Sequence, residues 1–222
     1  ETFGYWIQDG DGDQSFATLT ITIFGSDGDV TISGLTPQSQ GGDVLVNEDD
    51  LLASRGAGEA AGSDPTKEST TQTGTFTVSA PDGIDDLTVG GHAVITNGVF
   101  TPTSFTTPLG NTISFTGFNP ATGEVTYTYT LLDNETHNPG DGSNDLFDNL
   151  TVVLTDVDGS SATDTLAIRI VDDVSSANND SNWVRENTSL VASGNVLQNV
   201  AHPGAPSGSF ADQADTGGAD SI

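Results

Sequence analysis

The 222-residue sequence has no cysteine and no methionine, and only four lysine and arginine residues against 32 aspartate and glutamate residues. Disulfides therefore cannot stabilise the fold, and bound metal ions are the natural substitute. The formal net charge of −28 argues against nucleic acid as a partner, because binding to phosphates needs a basic surface. An anionic membrane would repel the chain. No apolar run of 18 residues is present, so we expect no membrane insertion.

Apolar and aromatic residues occur in short alternating runs, which are typical of β-strands. Val125, Tyr127, Tyr129 and Leu131 form the clearest run, and we expect both tyrosines to lie in the core. Asn97-Gly98 lies between two such runs and favours a tight hairpin turn. No window shows helical periodicity. We therefore predict an all-β fold, an antiparallel β-sandwich.

The chain also contains an internal repeat. Residues around Asp9 recur around Asp156 at an offset of 147 positions (156 minus 9), and Val46 and Glu48 recur as Val184 and Glu186 at an offset of 138 (184 minus 46). We therefore predict three parts. They are the C-terminal strands of a preceding repeat (1–27), one complete repeat (28–177) and the N-terminal part of a following repeat (178–222).

The first residues include neither a start methionine nor a signal peptide, so we expect the chain to be a piece of a longer protein. The two partial repeats would have unsatisfied strand edges. We expect them either to dock on the complete repeat or to pair head to tail with other copies. A head-to-tail contact that does not close produces a filament.

Two Asp/Gly turns present carboxylates to a hard cation such as calcium. The turn at Asp9 is not the start of an EF-hand loop, because Gln14 and Thr20 occupy the positions that need glycine and glutamate. A turn chosen only for its backbone conformation is the alternative, since aspartate and glycine both favour turns. The predicted Ca²⁺ ligands in these turns are Asp9, Asp11, Asp13, Asp156 and Asp158.

A second group of carboxylates lies where repeats join, and these could share a Ca²⁺ ion and stiffen the joint. The alternative is a solvated acidic linker. At the second joint the candidates are Asp172, Asp173, Asp180 and Glu186. At the first joint they are Glu48 and Asp49, together with Asp27 and Asp29.

Other chemistry has less support in the sequence. His92, His137 and His202 share no ligand spacing, which argues against a transition-metal site. No nucleophile elbow, HExxH motif or phosphate loop is present, so we expect no enzymatic activity. Trp6 and Trp183 are candidates for stacking on a sugar or for core packing.

The segments YTYTLLDNETHNPGDGSNDLFDNLTVVLTDVDGSSATDTLAIRIVDDV (127–174) and GTFTVSAPDGIDDLTVGG (74–91) resemble the tandem repeats of giant type I-secreted bacterial adhesins. These are the RTX and biofilm adhesins, with calcium-binding, immunoglobulin-like or cadherin-like extender domains. The resemblance implies an extracellular location at the bacterial cell surface and calcium-dependent rigidity. It also implies a structural role in attachment or in a biofilm matrix. The implied partners are neighbouring repeats, head-to-tail copies and surface glycans or matrix. The family's turn commonly reads DxDGD, and Ser160 departs from it where the N-terminal copy has Asp13.

Overall fold

The computed structural model describes residues 1–23, 28–55, 60–138, 140, 142–188, 190–195, 197–198 and 214–219. Within these ranges the chain forms thirteen β-strands and three short 3₁₀ helices, at Gln38–Gln40, Glu48–Asp50 and Ala53–Arg55. None of these helices has the length and apolar character needed to cross a membrane. The strands are β1 (Thr2–Gln8), β2 (Gln14–Thr20), β3 (Thr31–Ser33), β4 (Val44–Asn47), β5 (Thr71–Ser79), β6 (Ile84–Val89), β7 (His92–Thr96), β8 (Val99–Phe100), β9 (Thr103–Thr106), β10 (Thr112–Asn119), β11 (Glu124–Thr130), β12 (Asp145–Asp156) and β13 (Ser161–Val171).

Eleven of these strands form two facing sheets. One has the order β3-β5-β11-β10-β9 and the other β4-β13-β12-β6-β7-β8. Side chains of both sheets join in one buried apolar cluster, to which β11 contributes Tyr127 and Tyr129 and β13 contributes Leu166, Ile168 and Ile170. Their spacing of two follows the alternation of a strand with one buried face. The predicted all-β, antiparallel sandwich and the predicted core tyrosines are confirmed.

The predicted tight turn is also confirmed. Asn97 and Gly98, between β7 and β8, have φ values of 48° and 73°. A type I′ hairpin turn requires positive φ at both positions, and asparagine and glycine accept it best.

One strand pair is parallel, and it decides where the acidic residues lie. β4 runs alongside β13 in the same direction, with Asn47 opposite Val171. Glu48 and Asp172, which follow these two strands, therefore emerge at the same end of the sandwich. The sequence alignment places Glu48 and Asp49 at the first joint. The structure corrects this and places Glu48 at the opposite end, where the chain leaves the sandwich.

Strands β1 and β2 form a separate two-stranded sheet. It has the register of β12 and β13, because Thr2 pairs with Thr20, and Asn149 pairs with Ala167 147 positions later. Ile7, which aligns with the buried Leu154, is 62% exposed. This hairpin thus keeps the strand pairing of a complete repeat, while its apolar face stays open.

The last segment docks on the sandwich, one of the two predicted arrangements. Ser176 forms an isolated antiparallel bridge with Thr216. Ala219 is 1% exposed and belongs to the core cluster. The rest of the predicted partial repeat at 199–213 and 220–222 lies outside the described residues.

Candidate metal sites

The two Asp/Gly turns have the same geometry. In each, the Oδ1 atom of the first aspartate accepts hydrogen bonds from the backbone N–H groups two, three and four residues later. The distances are 3.3, 3.0 and 2.9 Å at Asp9, and 3.2, 2.9 and 2.8 Å at Asp156. Gly12 and Gly159 have φ values of 104° and 99°, which glycine adopts without steric cost. The turn conformation therefore accounts for the glycine and for the hydrogen bonds to Oδ1. It gives no role to Oδ2, the second carboxylate oxygen.

That second oxygen defines a candidate site in the central repeat. Asp156 is only 1% exposed, and its Oδ2 atom has no hydrogen-bond partner. It lies with carboxylate oxygens of Asp82 and Asp158, all within 4.8 Å of one another. We call these three residues the entry site, because Gly28 of the incoming chain donates its N–H to Asp82 Oδ2 at 2.5 Å. A buried carboxylate oxygen without a donor is costly, and a bound cation would compensate it.

Asp82 supplies a carboxylate that the central turn lacks. In the N-terminal copy, Asp9, Asp11 and Asp13 come together within the same 4.8 Å limit, and all three are exposed. Ser160 occupies the position of Asp13 in the central copy. The departure at Ser160 thus accompanies a rearranged site, in which the turn between β5 and β6 provides the third carboxylate.

The first aspartate of each turn, Asp9 or Asp156, has a lowered pKa, which favours its ionised form. At Asp9 a side-chain hydrogen bond with Asp11 is the main cause of a lowered pKa. At Asp156 burial opposes ionisation, but hydrogen bonds from Asp158 and from the backbone N–H groups of the turn outweigh it and lower the pKa. A lowered pKa means that the stability from these hydrogen bonds is present at neutral pH. That stability is lost only as the pH falls below the ordinary value of 3.8.

A different group lies at the other end of the sandwich. Ligand atoms of Glu48, His137 and Asp172 lie within 4.8 Å of one another, and we call these residues the exit site. Glu48 is fully buried, and its Oε1 accepts a hydrogen bond from the Glu135 backbone N–H at 2.6 Å. The same oxygen lies 3.1 Å from His137 Nε2. The eleven residues of β13 separate the entry and exit sites, which corresponds to roughly 35 Å.

Other predicted ligands have protein partners. Asp49 forms an ion pair with Lys67 at 3.2 Å. Asp173 accepts hydrogen bonds from the Ser63 N–H at 2.7 Å, the Ser63 hydroxyl at 2.6 Å and the Ala219 N–H at 3.0 Å. Asp173 therefore fastens the last segment to the central sandwich through direct protein contacts.

The remaining candidates are scattered. Asp180 and Glu186 belong to none of the three groups found in the described part of the chain. Trp6 is 66% exposed and packs on Phe16, with ring centroids 5.0 Å apart. The Trp183 ring lies 5.8 Å from the Arg185 guanidinium carbon. Asp27 and His202 are outside the described residues.

Two residues that complete the sites escape sequence reasoning. Asp82 stands in an acidic turn far from Asp156 in sequence, and His137 shares no spacing with another histidine. The ligands of each site come from separate segments, so local spacing does not connect them. The useful signal was topological: a parallel β4–β13 pair brings together the residues that follow the two strands.

Comparison with protein-family models, curated proteins and solved structures found no match for the chain.

Proposed function

We propose that this chain is a calcium-binding structural repeat of a secreted bacterial surface adhesin or fibre. It acts as a rigid extender in cell attachment or in a biofilm matrix. The observation that supports this most is the entry site, where the buried Asp156 directs an unpartnered oxygen towards Asp82 and Asp158. Calcium is the expected ion, because hard cations take carboxylate oxygens as ligands. The same turn occurs at Asp9, and this recurrence supports calcium binding as a property of each repeat.

Calcium at the entry site would act mechanically. Asp82 also accepts the N–H of Gly28, so an ion held by Asp82 would fix the path of the chain as it enters the sandwich. Positive charge would also offset part of the net charge of −28, which opposes a compact state. Extracellular calcium modules have Kd values of about 10⁻⁴ to 10⁻³ M. A protein with such sites is stiff in a calcium-rich medium and softer without calcium.

Neighbouring repeats are the proposed partners, either within a longer chain or from another copy. The hairpin of β1 and β2 has the register of the last two strands of a complete repeat. The hairpin lacks the other strands of such a repeat. A partial repeat that precedes or follows it can therefore supply them. Such contacts would extend a fibre lengthwise.

Calcium titration followed by thermal unfolding tests this function. A ligand at 10 times its Kd stabilises the folded state by about 1.4 kcal/mol. We expect millimolar calcium to raise the Tm and chelation to make the chain more compact or bent in small-angle scattering. Identical melting and scattering with and without calcium would contradict the proposal.

The variant Asp156→Asn assigns the effect to the entry site. Its amide oxygen can still accept the three turn hydrogen bonds, while its NH₂ group replaces the unpartnered Oδ2. Without calcium, we expect the Tm of this variant to be higher than that of the parent chain. We expect the part of the calcium-induced rise in Tm that comes from the entry site to disappear. The matched control is Asp164→Asn, which removes one charge from an exposed position on β13. An equal calcium response in both variants would exclude the entry site.

A further inference from the structure

We propose that the exit site binds a borderline divalent metal ion of the zinc class, through Glu48, His137 and Asp172. This site is chemically distinct from the all-oxygen entry site, and the proposal does not depend on calcium binding there. Imidazole nitrogen suits zinc, cobalt, nickel and copper ions. Calcium takes six to eight oxygen ligands instead. The histidine therefore changes which ion the exit site prefers.

The orientation of Asn144 fixes the role of the imidazole. Its Nδ2 donates hydrogen bonds to the Asn138 carbonyl and to Asp172 Oδ2, both at 3.2 Å. Its Oδ1 must therefore face His137, and it lies 3.1 Å from Nδ1. An amide oxygen can only accept, so Nδ1 carries the proton. In the neutral imidazole Nε2 then has a lone pair, and that lone pair points towards a carboxylate oxygen of Glu48.

An imidazole nitrogen and a carboxylate oxygen that face each other in a buried place share a cation, which is either a proton on Nε2 or a metal ion. The side chains of His137 and Glu48 are only 5% and 0% exposed. Their ligand atoms lie 3.1 Å apart. Two ligands bound to one zinc ion at 2.0–2.1 Å lie about 2.9–3.4 Å apart for angles from octahedral to tetrahedral. The observed separation therefore matches two ligands of one ion.

The surroundings also resemble those of a metal-ligating histidine. Such a histidine commonly donates its other N–H to an oxygen that sets the ring orientation. At His137 this oxygen is Asn144 Oδ1, and Asn144 Nδ2 also donates to Asp172 and orients its carboxylate. The Glu135 N–H holds Glu48 Oε1. Three protein ligands leave one coordination position for water, as in an open tetrahedral site.

The test is a zinc titration of the untagged chain by calorimetry, run without calcium and again in millimolar calcium, and repeated with cobalt to read the absorption of the bound ion. We expect one equivalent of zinc and a cobalt spectrum that includes a nitrogen ligand. His137→Gln should weaken binding by about 100-fold or more, and Asp172→Asn should also weaken it. The matched control is His92→Gln, because His92 is exposed and stacks on Phe105 away from the site.

Melting curves of the metal-free variants show whether each one folds. Three results would overturn the proposal. The first is no zinc binding by the parent chain, which would make the His137–Glu48 contact a simple protonated ion pair. The second is equal binding by His137→Gln and His92→Gln, which would place the zinc elsewhere. The third is full displacement of zinc by millimolar calcium, which would make the site an oxygen site for calcium.

Discussion

At the scale of single residues, the two oxygens of Asp156 have different roles. Oδ1 accepts three backbone hydrogen bonds and holds the turn, whereas Oδ2 is buried without a partner. A side-chain oxygen at the first position is thus needed for the turn, and the charge on the second oxygen of aspartate is available for an ion. This division explains why a turn motif and a metal motif coincide in one short sequence.

Replacing Ser160 by aspartate tests how charge at this turn sets affinity. Ser160→Asp restores the third acidic residue that Asp13 provides in the N-terminal copy. Affinity of calcium sites rises with the number of charged ligands, so we expect binding to tighten on the order of tenfold. Without calcium the added carboxylate repels Asp158 and should lower the Tm. Calorimetry and thermal unfolding measure the two effects.

The control for this change is Ser161→Asp. It adds the same charge one residue later, at the start of β13, where successive side chains point to opposite faces. We expect it to leave calcium affinity nearly unchanged. Equal tightening by both variants would mean that general electrostatic attraction, and not ligation at the turn, sets the affinity.

At the scale of elements, alternation in the sequence predicts most strands and their buried faces. Tyr127 and Tyr129 are fully buried as predicted, because one face of an antiparallel strand meets the core. The repeat offset also predicts the register of the first hairpin, from Thr2 with Thr20. The position of Glu48 is not predictable in this way. It depends on a parallel pairing between segments that are far apart in sequence, and periodicity carries no information on pairing partners.

The joint after β13 depends on Asp173, which the sequence suggests as a calcium ligand. Asp173→Ala would leave the N–H groups of Ser63 and Ala219 without their acceptor. Of these two donors the Ala219 N–H is the buried one, and an unsatisfied buried donor costs about 1–3 kcal/mol. We therefore expect faster hydrogen exchange at both amides and a lower Tm, with or without calcium.

Asp29→Ala is the control, since it removes one charge from an exposed residue of the other linker. Exchange at Ser63 and Ala219 should be unchanged in that variant. A calcium-dependent effect of Asp173→Ala alone would instead show that Asp173 acts through a bound ion.

At the scale of the whole molecule, the chain has an open hairpin near its beginning and residues 214–219 docked on the sandwich near its end. Ile7 is 62% exposed, although the aligned Leu154 is completely buried in the central sandwich. An apolar face of this kind favours association. If the hairpin of one copy packs on the last segment of another, the contact is heterologous and can continue along a fibre. A contact between two hairpins would stop at a dimer.

Substitutions at two neighbouring positions, Ile7 and Trp6, test the two faces of the hairpin separately. Ile7→Ser changes the face that aligns with the core side of β12, whereas Trp6→Ser changes the opposite face at nearly equal exposure, 66% against 62%. In sedimentation velocity over a range of concentrations with calcium present, we expect the parent chain and Trp6→Ser to form a series of growing species. Ile7→Ser should remain mostly monomeric, because the surface that a completed repeat would bury is disrupted.

A parent chain that stays monomeric, or equal loss of association in both variants, would contradict head-to-tail pairing. A series that ends at the dimer would assign the contact to two hairpins, because only a heterologous contact leaves a free surface at each end for the next copy.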